Sequence, residues 1–415
     1  MRWRRLPAIA LVVTALVGCA GQAVRPSPAR HVLIVSIDGL RPEFYFDEAW
    51  AAPELRALVQ AGSHARAAEG VFPTVTYPNH ATIVTGVRPA RHGVFSNTIP
   101  TAAGTRGRWY DEARDLRASP IWEWARAAGL TTAAVSWPVT VGARIDLLVP
   151  ERDYYVQQNP LEQLHANSTA GIFDRLGVTP GPEMFKDVVR WDAFLTETAA
   201  AMIRQARPHL LLLHLVQTDY FQHRLGREPA EVKAAVARAD AHIGTLRRAL
   251  AEAGPADRWV MIVTGDHGFE DVRRGLHPNV LLARAGLRGC PEPGDNWRAT
   301  AYTASGSAAI LVNPPGDSAA ATRAEAALRS EAGDAYTIVT RAELDALGAM
   351  PNAAFAIAAA PGYAMGFGCR GSLRVSGSGG QHGYLPSHPR MPTGFIADGA
   401  GVRAGVTLER LRLVV

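Results

Sequence analysis

A continuous apolar run begins the regular part of this chain: His31-Val32-Leu33-Ile34-Val35-Ser36-Ile37-Asp38-Gly39. Uninterrupted β-branched runs are typical of strands buried at the centre of a parallel sheet, with both faces covered. Two further apolar runs, Leu210 to Val216 and Val260 to Val263, are each followed by an aspartate and a histidine. Ligands of open α/β sheets collect beyond the carboxyl ends of the strands. The sequence therefore predicts a site where these three strands end.

Strand and helix patterns alternate along the chain. Strand-like runs occur at 31–37, 132–136, 209–216, 258–264, 308–312 and 336–339, and helical spacing at 53–61, 79–85, 120–128, 191–205, 229–253, 323–332 and 341–347. This alternation predicts an α/β fold with a mostly parallel central sheet and helices on both faces. We expect a single catalytic domain over 31–415. Segment 139–190 is predicted to be a small cap insertion over the site, and 269–304 a connection or small subdomain.

The first residues differ from the rest, which has the composition of a folded globular protein. A cationic start is followed by the apolar run Ala8 to Val17, which is too short to span a bilayer as a mature helix. Leu16-Val17-Gly18-Cys19 resembles a bacterial lipobox, so we expect a lipoprotein signal peptide over 1–18, acyl chains on Cys19 and a tether over 19–30. Ala20 favours the outer membrane as the destination. The alternative is an ordinary signal peptide that is cut elsewhere.

Charge and cysteine content narrow the class of protein further. Removal of residues 1–18 takes away three arginines and no acids, which lowers the formal net charge from +5 to +2. A sequence pI near 9.3 is therefore no signature of nucleic-acid binding. Beyond Cys19, the cysteines are Cys290 and Cys369, and in an exported, oxidising compartment we expect them to form a disulfide. The alternative is two buried free thiols.

Carboxylates and imidazoles occur at four separate places along the chain. They are Asp38, Asp219 with His223, Asp266 with His267, and His382 in the glycine-rich segment 379–384. Taken singly, each place has an ordinary explanation, such as a surface pair or a helix cap. Taken together, three carboxylates and three imidazoles in this order indicate a site for two divalent cations such as zinc.

A candidate nucleophile lies between the first two of these places. Thr76 precedes Tyr77-Pro78-Asn79, where a helix is predicted to begin, and the N-terminus of a helix attracts phosphate oxygens. Coordination to a divalent ion can activate a threonine hydroxyl by lowering its pKa. Thr74 competes for this role, and the spacing does not decide between the two. Asn97 could donate its amide hydrogen to a charged phosphoryl oxygen.

Other histidines are predicted to have structural roles. His214 lies inside an apolar run and is expected to be a hydrogen-bonded core residue and not a ligand. His80 and His92 are close to the nucleophile segment, and we expect each to support or pack against the site.

These motifs together resemble the nucleotide pyrophosphatase/phosphodiesterase family of the alkaline phosphatase superfamily. The likeness is carried by Phe72-Pro73-Thr74-Val75-Thr76-Tyr77-Pro78-Asn79-His80, Ile83-Val84-Thr85-Gly86, Ser36-Ile37-Asp38-Gly39, Asp219 to His223, Thr264-Gly265-Asp266-His267-Gly268 and His382-Gly383-Tyr384. It implies an alkaline-phosphatase-like α/β sandwich over nearly the whole chain. Gln222 departs from the pattern, because family members commonly have glycine before this histidine.

The resemblance also implies roles for individual residues. One zinc would be held by Asp38, Thr76, Asp266 and His267, and the other by Asp219, His223 and His382. Thr76 would form a phosphothreonyl intermediate, with Asn97 stabilising the transition state. The resemblance further implies that Tyr77 lines the leaving-group side or stacks on a nucleobase, with Tyr154 or Tyr155 opposite. Core packing is the alternative for these tyrosines.

The expected activity is hydrolysis of phosphodiester or phosphoanhydride bonds in nucleotide-type substrates. No lysine lies near any motif, and Asn97 is a neutral donor, which suits a monoanionic diester better than a dianionic monoester. A phosphomonoesterase and a glycerophosphodiester or lipid head-group phosphodiesterase stay open as alternatives. A surface lipoprotein with a dead site would lack at least one ligand, and none is missing from the sequence. We expect an exported enzyme, anchored in the outer membrane and facing the periplasm.

Overall fold

The computed structural model describes residues 30–154, 157–254, 258–290 and 297–414. The predicted signal peptide, Cys19 and Tyr155 lie outside the described residues. The strands are β1 (His31–Ile37), β2 (Ser63–Glu69), β3 (Thr98–Pro100), β4 (Arg106–Trp109), β5 (Thr132–Val135), β6 (Leu147–Val149), β7 (Leu210–Leu215), β8 (Trp259–Thr264), β9 (Glu270–Asp271), β10 (Arg274–Leu276), β11 (Ala299–Thr303), β12 (Ser307–Val312), β13 (Tyr336–Val339), β14 (Phe355–Ala359), β15 (Tyr363–Met365), β16 (Arg374–Ser376), β17 (Gly380–Gln381), β18 (Thr393–Gly399), β19 (Val406–Leu408) and β20 (Leu411–Arg412).

Helices connect most of these strands. They are α1 (Glu43–Phe46), α2 (Pro53–Ala61), α3 (Thr76–Thr85), α4 (Pro89–His92), α5 (Ile121–Ala127), α6 (Pro160–Asn167), α7 (Ile172–Leu176), α8 (Val188–Ala201), α9 (Gln217–Leu225), α10 (Ala230–Ala253), α11 (Pro278–Arg284), α12 (Ser318–Arg329) and α13 (Arg341–Leu347). A π-helical turn, Met202–Ala206, continues α8.

A nine-stranded sheet forms the centre of the molecule, in the order β19-β2-β18-β8-β1-β7-β5-β6, with β20 beside β2. The five strands from β8 to β6 are parallel, and β18 pairs antiparallel with β8 and β2. The apolar run of β1 therefore lies between β7 and β8, at the middle of the parallel part. This confirms the prediction of a mostly parallel central sheet.

Both faces of this sheet are covered, because alternate residues of each strand point to opposite sides. Leu33, Val35 and Ile37 pack into one core with residues of α2, α8 and α10, whereas Ile34 packs into another with residues of α3 and α5. Each such fully buried side chain contributes about 1.5–3 kcal/mol relative to exposure. The two cores fix the position of β1, and hence of the residues directly after it.

A second, four-stranded sheet follows in the order β11-β12-β14-β13, and all of its pairs are antiparallel. The sequence predicted that the runs at 308–312 and 336–339 would extend the parallel α/β pattern. They instead belong to this antiparallel sheet. The reason is connectivity, since β11 and β12 are joined by a short turn at 304–306, which only antiparallel neighbours allow. This sheet has apolar clusters of its own on both faces.

The predicted cap over 139–190 is only partly separate from the sheet. Its first strand, β6, is the edge strand of the central sheet. Leu164, Phe173 and Leu176 from α6 and α7 belong to the main hydrophobic core. Two short stretches, 151–153 and 186–188, border the cavity described below. Much of the segment thus completes the core, and these two stretches lie at the cavity.

Cys290 and Cys369 form a disulfide, which confirms the predicted pair. It ties the end of the segment after α11 to the loop after β15, across 79 residues of sequence. Among the helices that the structure describes, none combines the length and the apolarity needed to cross a membrane.

Candidate active site

The strand ends bring the first acidic residues together. β1 pairs in parallel register with β7 and β8, and Ser36 lies opposite both His214 and Thr264. Asp38 follows directly and donates its backbone N–H to the carbonyl of Leu215 at 2.9 Å. The turn after Asp38 requires Gly39, whose φ is +67° and whose added Cβ would lie 2.6 Å from the Phe269 ring.

Asp38, Asp266 and His267 form one cluster of possible ligands. Their ligand atoms lie within 4.8 Å of one another, and all three side chains are buried. The Nε2 atom of His267 is 3.4 Å from Oδ1 of Asp38 and 3.1 Å from Oδ2 of Asp266. The other oxygen of Asp266 accepts a hydrogen bond from the N–H of Gly39 at 3.1 Å.

Asp219, His223 and His382 form a second cluster beside the first. Oδ1 of Asp219 lies 3.3 Å from Nε2 of His223 and 3.6 Å from Nε2 of His382. Asp219 and His223 lie one turn apart on α9, as their spacing predicted. The ring of His267 stacks on His382 at 3.7 Å, and its ligand atom also lies within 4.8 Å of those of Asp219 and His382. His267 thus stands between the two clusters.

The three histidines all present the same nitrogen to the site. The Nδ1 atoms of His267, His223 and His382 lie 3.2, 3.1 and 3.0 Å from the carbonyl oxygens of Gly268, Gly380 and Thr74, so Nδ1 must donate in each. In a neutral imidazole the remaining Nε2 then carries a lone pair. Such orientation of a ring by a backbone carbonyl is usual for histidines that bind a metal.

Several buried polar atoms at the centre of the site have no hydrogen-bond partner among the described residues. They are Oδ1 of Asp38, Oδ1 of Asp219, Oδ2 of Asp266 and Nε2 of His267. Buried polar groups are normally satisfied, so this grouping demands a reason. In addition, the Nε2 atoms of His223 and His382 are only 3.0 Å apart. Lone pairs and carboxylate charges facing one another fit divalent cations between them.

The pKa values of these groups agree with that reading. Burial, and then the charges of Asp219 and Asp266, raise the pKa of Asp38 well above its ordinary value. Burial raises the pKa of Asp266 to about 7. Burial, and then the neighbouring His223, lower the pKa of His382 to about 4, and burial also lowers the pKa of His267 well below its ordinary value. The imidazoles of His267 and His382 are therefore neutral. Burial disfavours the charged form of His223, but the charge of Asp219 outweighs it and raises the pKa of His223 above its ordinary value.

The two candidate nucleophiles have different environments. Thr74 is fully buried, and its hydroxyl donates to the carbonyl of Tyr384 and accepts from the N–H of Gly383. Its own carbonyl accepts from His382, so Thr74 helps to orient a ligand. Thr76 instead begins α3 and, together with Asp38, lines a cavity that opens from the ligand cluster. Of the two threonines, Thr76 is therefore the one that faces the cavity.

Asn97 and His80 hold the first turn of α3 from two sides. Oδ1 of Asn97 accepts the N–H of Tyr77 at 3.0 Å, which leaves the amide nitrogen of Asn97 free to donate into the cavity that it lines. Nδ1 of His80 donates to the carbonyl of Thr76 at 2.8 Å, and its Nε2 accepts from Ser36. The supporting role predicted for His80 is confirmed.

Some supporting residues were missed or only partly understood from the sequence. Asp192 on α8 accepts the N–H groups of Val216 and Gln217, each at 3.0 Å, and so caps α9 below Asp219. Gln222 is buried and donates to the carbonyl of Gly39 at 3.1 Å, which gives the departure from the family pattern a structural role. The sequence could not indicate the role of Asp192, because this residue lies in the middle of one helical pattern and the helix that it caps begins 25 residues later.

His214 is buried, as predicted, but it is not isolated in the core. Its Nε2 lies 3.2 Å from Oδ2 of Asp38, and its Nδ1 lies 2.5 Å from Oε2 of Glu151. Burial would lower the pKa of His214, but Glu151 and Asp38 together raise it well above its ordinary value. Glu151 was not recognised from the sequence, because it lies 63 residues from His214.

A cavity of about 720 Å³ opens outward from the ligand cluster. Its walls carry aromatic and charged residues that sequence reasoning did not select, namely Trp109, Arg152, Asp153, Lys186, Asp187, Trp191, Tyr220 and Arg224. Tyr77 also lines it, with its ring 5.3 Å from that of Trp109. Lys186 shows that a lysine far from every motif in sequence can still border the site.

Tyr154 is not on the cavity wall. Its side chain is 1% exposed, packs against Trp191 and Phe185 in the main core, and donates its hydroxyl to the carbonyl of Pro150. The expectation that Tyr154 faces a substrate is therefore wrong, and the alternative of core packing is right. Tyr154 belongs to segment 139–190, and since much of this segment completes the core, the tyrosine fills space there.

Comparison with known proteins gives the family of this chain. The family model described as "Type I phosphodiesterase / nucleotide pyrophosphatase" matches residues 32–371, and the chain belongs to this family. Human ectonucleotide pyrophosphatase/phosphodiesterase family member 7 is 29% identical over 283 residues, which cover 65% of this chain and 55% of that protein. Human family member 1 is 26% identical over 249 residues, which cover 57% of this chain and 23% of that protein.

The chain thus spans about a quarter of family member 1 and of the venom phosphodiesterases that it also matches. Among solved structures, human ectonucleotide pyrophosphatase/phosphodiesterase 5 superposes with a TM-score of 0.68 and 21% identity over 92% of each chain. The murine protein, as an inactive threonine-to-alanine variant in complex with AMP, gives a TM-score of 0.65 and 20% identity over 93% of this chain and 92% of that chain. These likenesses confirm the fold.

Proposed function

We propose that this chain is a two-zinc phosphodiesterase or pyrophosphatase that cleaves nucleotide-type phosphodiester or phosphoanhydride bonds through a phosphothreonyl intermediate. The observation that carries the proposal is the convergence of buried, unpartnered ligand atoms next to Thr76 at the start of α3. Membership of the family supports the reaction class.

The metals would be held by residues of both clusters. Asp38, Thr76, Asp266 and His267 would bind one zinc, and Asp219, His223 and His382 the other. When bound, the two cations would lower the pKa of the Thr76 hydroxyl and of a water molecule and would offset negative charge on the phosphoryl group.

The remaining chemistry is assigned to the chain. The Thr76 oxygen forms a bond to phosphorus while the bond to the leaving oxygen breaks, and water then displaces Thr76 and releases the phosphate product. Asn97 donates its amide hydrogen to a phosphoryl oxygen, since its own oxygen is already used by Tyr77. His80 holds the carbonyl of Thr76 and so keeps the first turn of α3 in place.

The preference for a diester rests on Asn97 as a neutral donor at the phosphoryl group. Nucleotide substrates are supported by the aromatic pair of Tyr77 and Trp109 on the cavity wall, and by the AMP bound to the murine relative. A phosphomonoesterase is the second candidate, because Lys186, Arg152 and Arg224 border the cavity and could hold a dianion.

The test is hydrolysis of bis-p-nitrophenyl phosphate against p-nitrophenyl phosphate by the purified domain, with zinc content measured on the same sample. We expect about two zinc ions per chain and faster turnover of the diester. Faster turnover of the monoester would favour the second candidate. Zinc well below one ion per chain, with neither ester cleaved, would favour a non-enzymatic surface lipoprotein. A panel of dinucleotides, nucleotide sugars and glycerophosphodiesters then separates nucleotides from lipid head groups.

The proposal extends to location. Cys19 would carry the lipid that anchors the chain in the outer membrane, facing the periplasm, and the disulfide between Cys290 and Cys369 suits an oxidising compartment. Detergent-phase partitioning of the full chain should be lost on Cys19→Ala. Unchanged partitioning would exclude the lipid anchor.

A further inference from the structure

We propose that Glu151 and His214 are a positioning pair that fixes the orientation of the Asp38 carboxylate, with one oxygen held by His214 and the other facing the metal. The inference rests on the proposed metal site and adds two residues to it that bind neither metal nor substrate directly. It starts from one chain of contacts, from Glu151 through the imidazole of His214 to Asp38.

The geometry gives His214 two carboxylate partners and no other role for its nitrogens. Nδ1 is 2.5 Å from Oε2 of Glu151 and Nε2 is 3.2 Å from Oδ2 of Asp38. Carboxylate oxygens accept, so both ring nitrogens donate. The side chains of His214 and Asp38 are 1% and 5% exposed, and that of Glu151 is 15% exposed. Water therefore competes little for these two hydrogen bonds.

The consequence for Asp38 is that its two oxygens become unequal. Oδ2 is occupied by His214, while Oδ1 is buried, has no hydrogen-bond partner among the described residues, and lies 3.4 Å from Nε2 of His267. Oδ1 is thus the oxygen presented to the ligand cluster. Without His214, the plane of the Asp38 carboxylate would be free to turn about the last side-chain bond.

Glu151 fixes the imidazole itself. Parallel register places His214 opposite Ser36, two residues before Asp38, and Glu151 closes the far side of the ring. The ring centroid of the neighbouring His80 is 4.3 Å from that of His214. The nitrogens of His80 bond to a carbonyl and a hydroxyl, so His80 cannot take the place of His214 between the two carboxylates. Glu151 also lines the cavity, so a change there is tolerated sterically better than one in the core.

The experiment measures zinc affinity by chelator competition in the wild type, His214→Asn, Glu151→Ala and Glu151→Gln. Loss of an outer partner of a metal ligand typically weakens binding about 10- to 100-fold. We expect that loss for one of the two zinc ions in His214→Asn and Glu151→Ala, with the other ion bound as in the wild type. Glu151→Gln keeps an acceptor for Nδ1 and should recover most of the affinity.

The matched control is His92→Asn, because His92 is equally buried but bonds to Thr82 and to the N–H of Val94. It should bind both ions normally, which separates positioning from a general loss of packing. If His214→Asn does not fold, the two Glu151 variants decide the question.

Wild-type zinc affinity in both His214→Asn and Glu151→Ala, or equal weakening of both ions, would overturn the inference while the wild-type enzyme stays active. Failure of the proposed function differs, because the wild type itself would then bind no zinc.

Discussion

The inner and outer halves of the cavity are built in different ways. The inner half consists of buried carboxylates and imidazoles whose free rotations are stopped by backbone carbonyls and N–H groups. The outer half carries aromatic and charged side chains of both signs, and two of its rings, Trp109 and Tyr220, are 38% and 43% exposed.

This difference assigns the two halves different tasks. Under the proposed function, a rigid, buried set of ligands would hold cations and a nucleophile in a fixed geometry and so determine the reaction. A half-exposed wall of aromatic and charged groups would make weaker contacts and so determine which substrate is held. Changes in the inner half should therefore lower kcat strongly, and changes in the outer half should alter KM modestly.

Removal of metal should have the largest effect. We expect treatment with a strong chelator to abolish hydrolysis and zinc to restore it.

The stability of the metal-free protein should depend on pH through Asp266. The pKa of Asp266 in the folded protein, about 7, lies above its ordinary 3.8, so the contribution of Asp266 to stability is full below about pH 4 and is lost as the pH rises through 7. The thermal midpoint of the metal-free protein should therefore fall between pH 6 and pH 8. Since cations need the deprotonated carboxylate, zinc should stabilise more at pH 8.

Scanning fluorimetry of both forms at the two pH values measures this effect. An equal shift of the midpoint by zinc at pH 6 and pH 8 would contradict the role given to the buried carboxylates.

Thr76→Ala should come next, with kcat lowered by about 10³-fold or more because the nucleophile is gone. Zinc content should be largely kept, since six other ligands stay in place. The control is Thr85→Ala at the other end of α3, whose hydroxyl donates to the carbonyl of Ala81 and accepts from the N–H of Val87. Activity retained in Thr76→Ala would redirect attention to Thr74.

Asn97→Ala should lower kcat by about 10²- to 10³-fold, the usual cost of losing one donor to a charged transition state. Oδ1 of Asn97 also accepts the N–H of Tyr77, so this variant loses an acceptor as well as the amide donor. Asn97→Asp separates the two, since it keeps the acceptor and removes the donor. Equal activity of Asn97→Asp and wild type would rule out the donor role.

Trp109→Ala should raise KM about tenfold for the p-nitrophenyl ester of thymidine 5′-monophosphate, since stacking on one base contributes ~1–3 kcal/mol. The KM for methyl p-nitrophenyl phosphate, which has no base, should change little. Trp124→Ala is the control, because Trp124 is 68% exposed and does not line the cavity. Equal increases for both esters would show that Trp109 only shapes the wall.

Lys186→Ala should have the smallest effect, about twofold or less on KM for a diester. Lys186 is exposed and already pairs with Glu183 at 2.6 Å, and such exposed pairs are worth ~0–1 kcal/mol. A large loss confined to p-nitrophenyl phosphate would instead favour the monoesterase, because a dianion needs the cation more.

The sequence predicted the inner half well and the outer half poorly. Asp38, Asp219 and Asp266 each follow an apolar run, and parallel strands end at one edge, so local pattern was enough to bring them together. The prediction for Tyr154 was wrong because nothing in the local sequence distinguishes a tyrosine that lines a cavity from one that fills a core. The antiparallel pairing of the second sheet was not predicted for a similar reason, since the pattern of a strand does not show which strand it pairs with.

By itself, the sequence determined the place of the ligand cluster, because strand ends and residue spacing fix where carboxylates and imidazoles lie along the chain. Only the tertiary structure decided how the carboxylate of Asp38 is oriented, which threonine faces the cavity, and which distant side chains, such as Glu151 and Lys186, join the site. The physical reason is that these contacts join segments far apart in sequence, and packing, not local pattern, sets their distances.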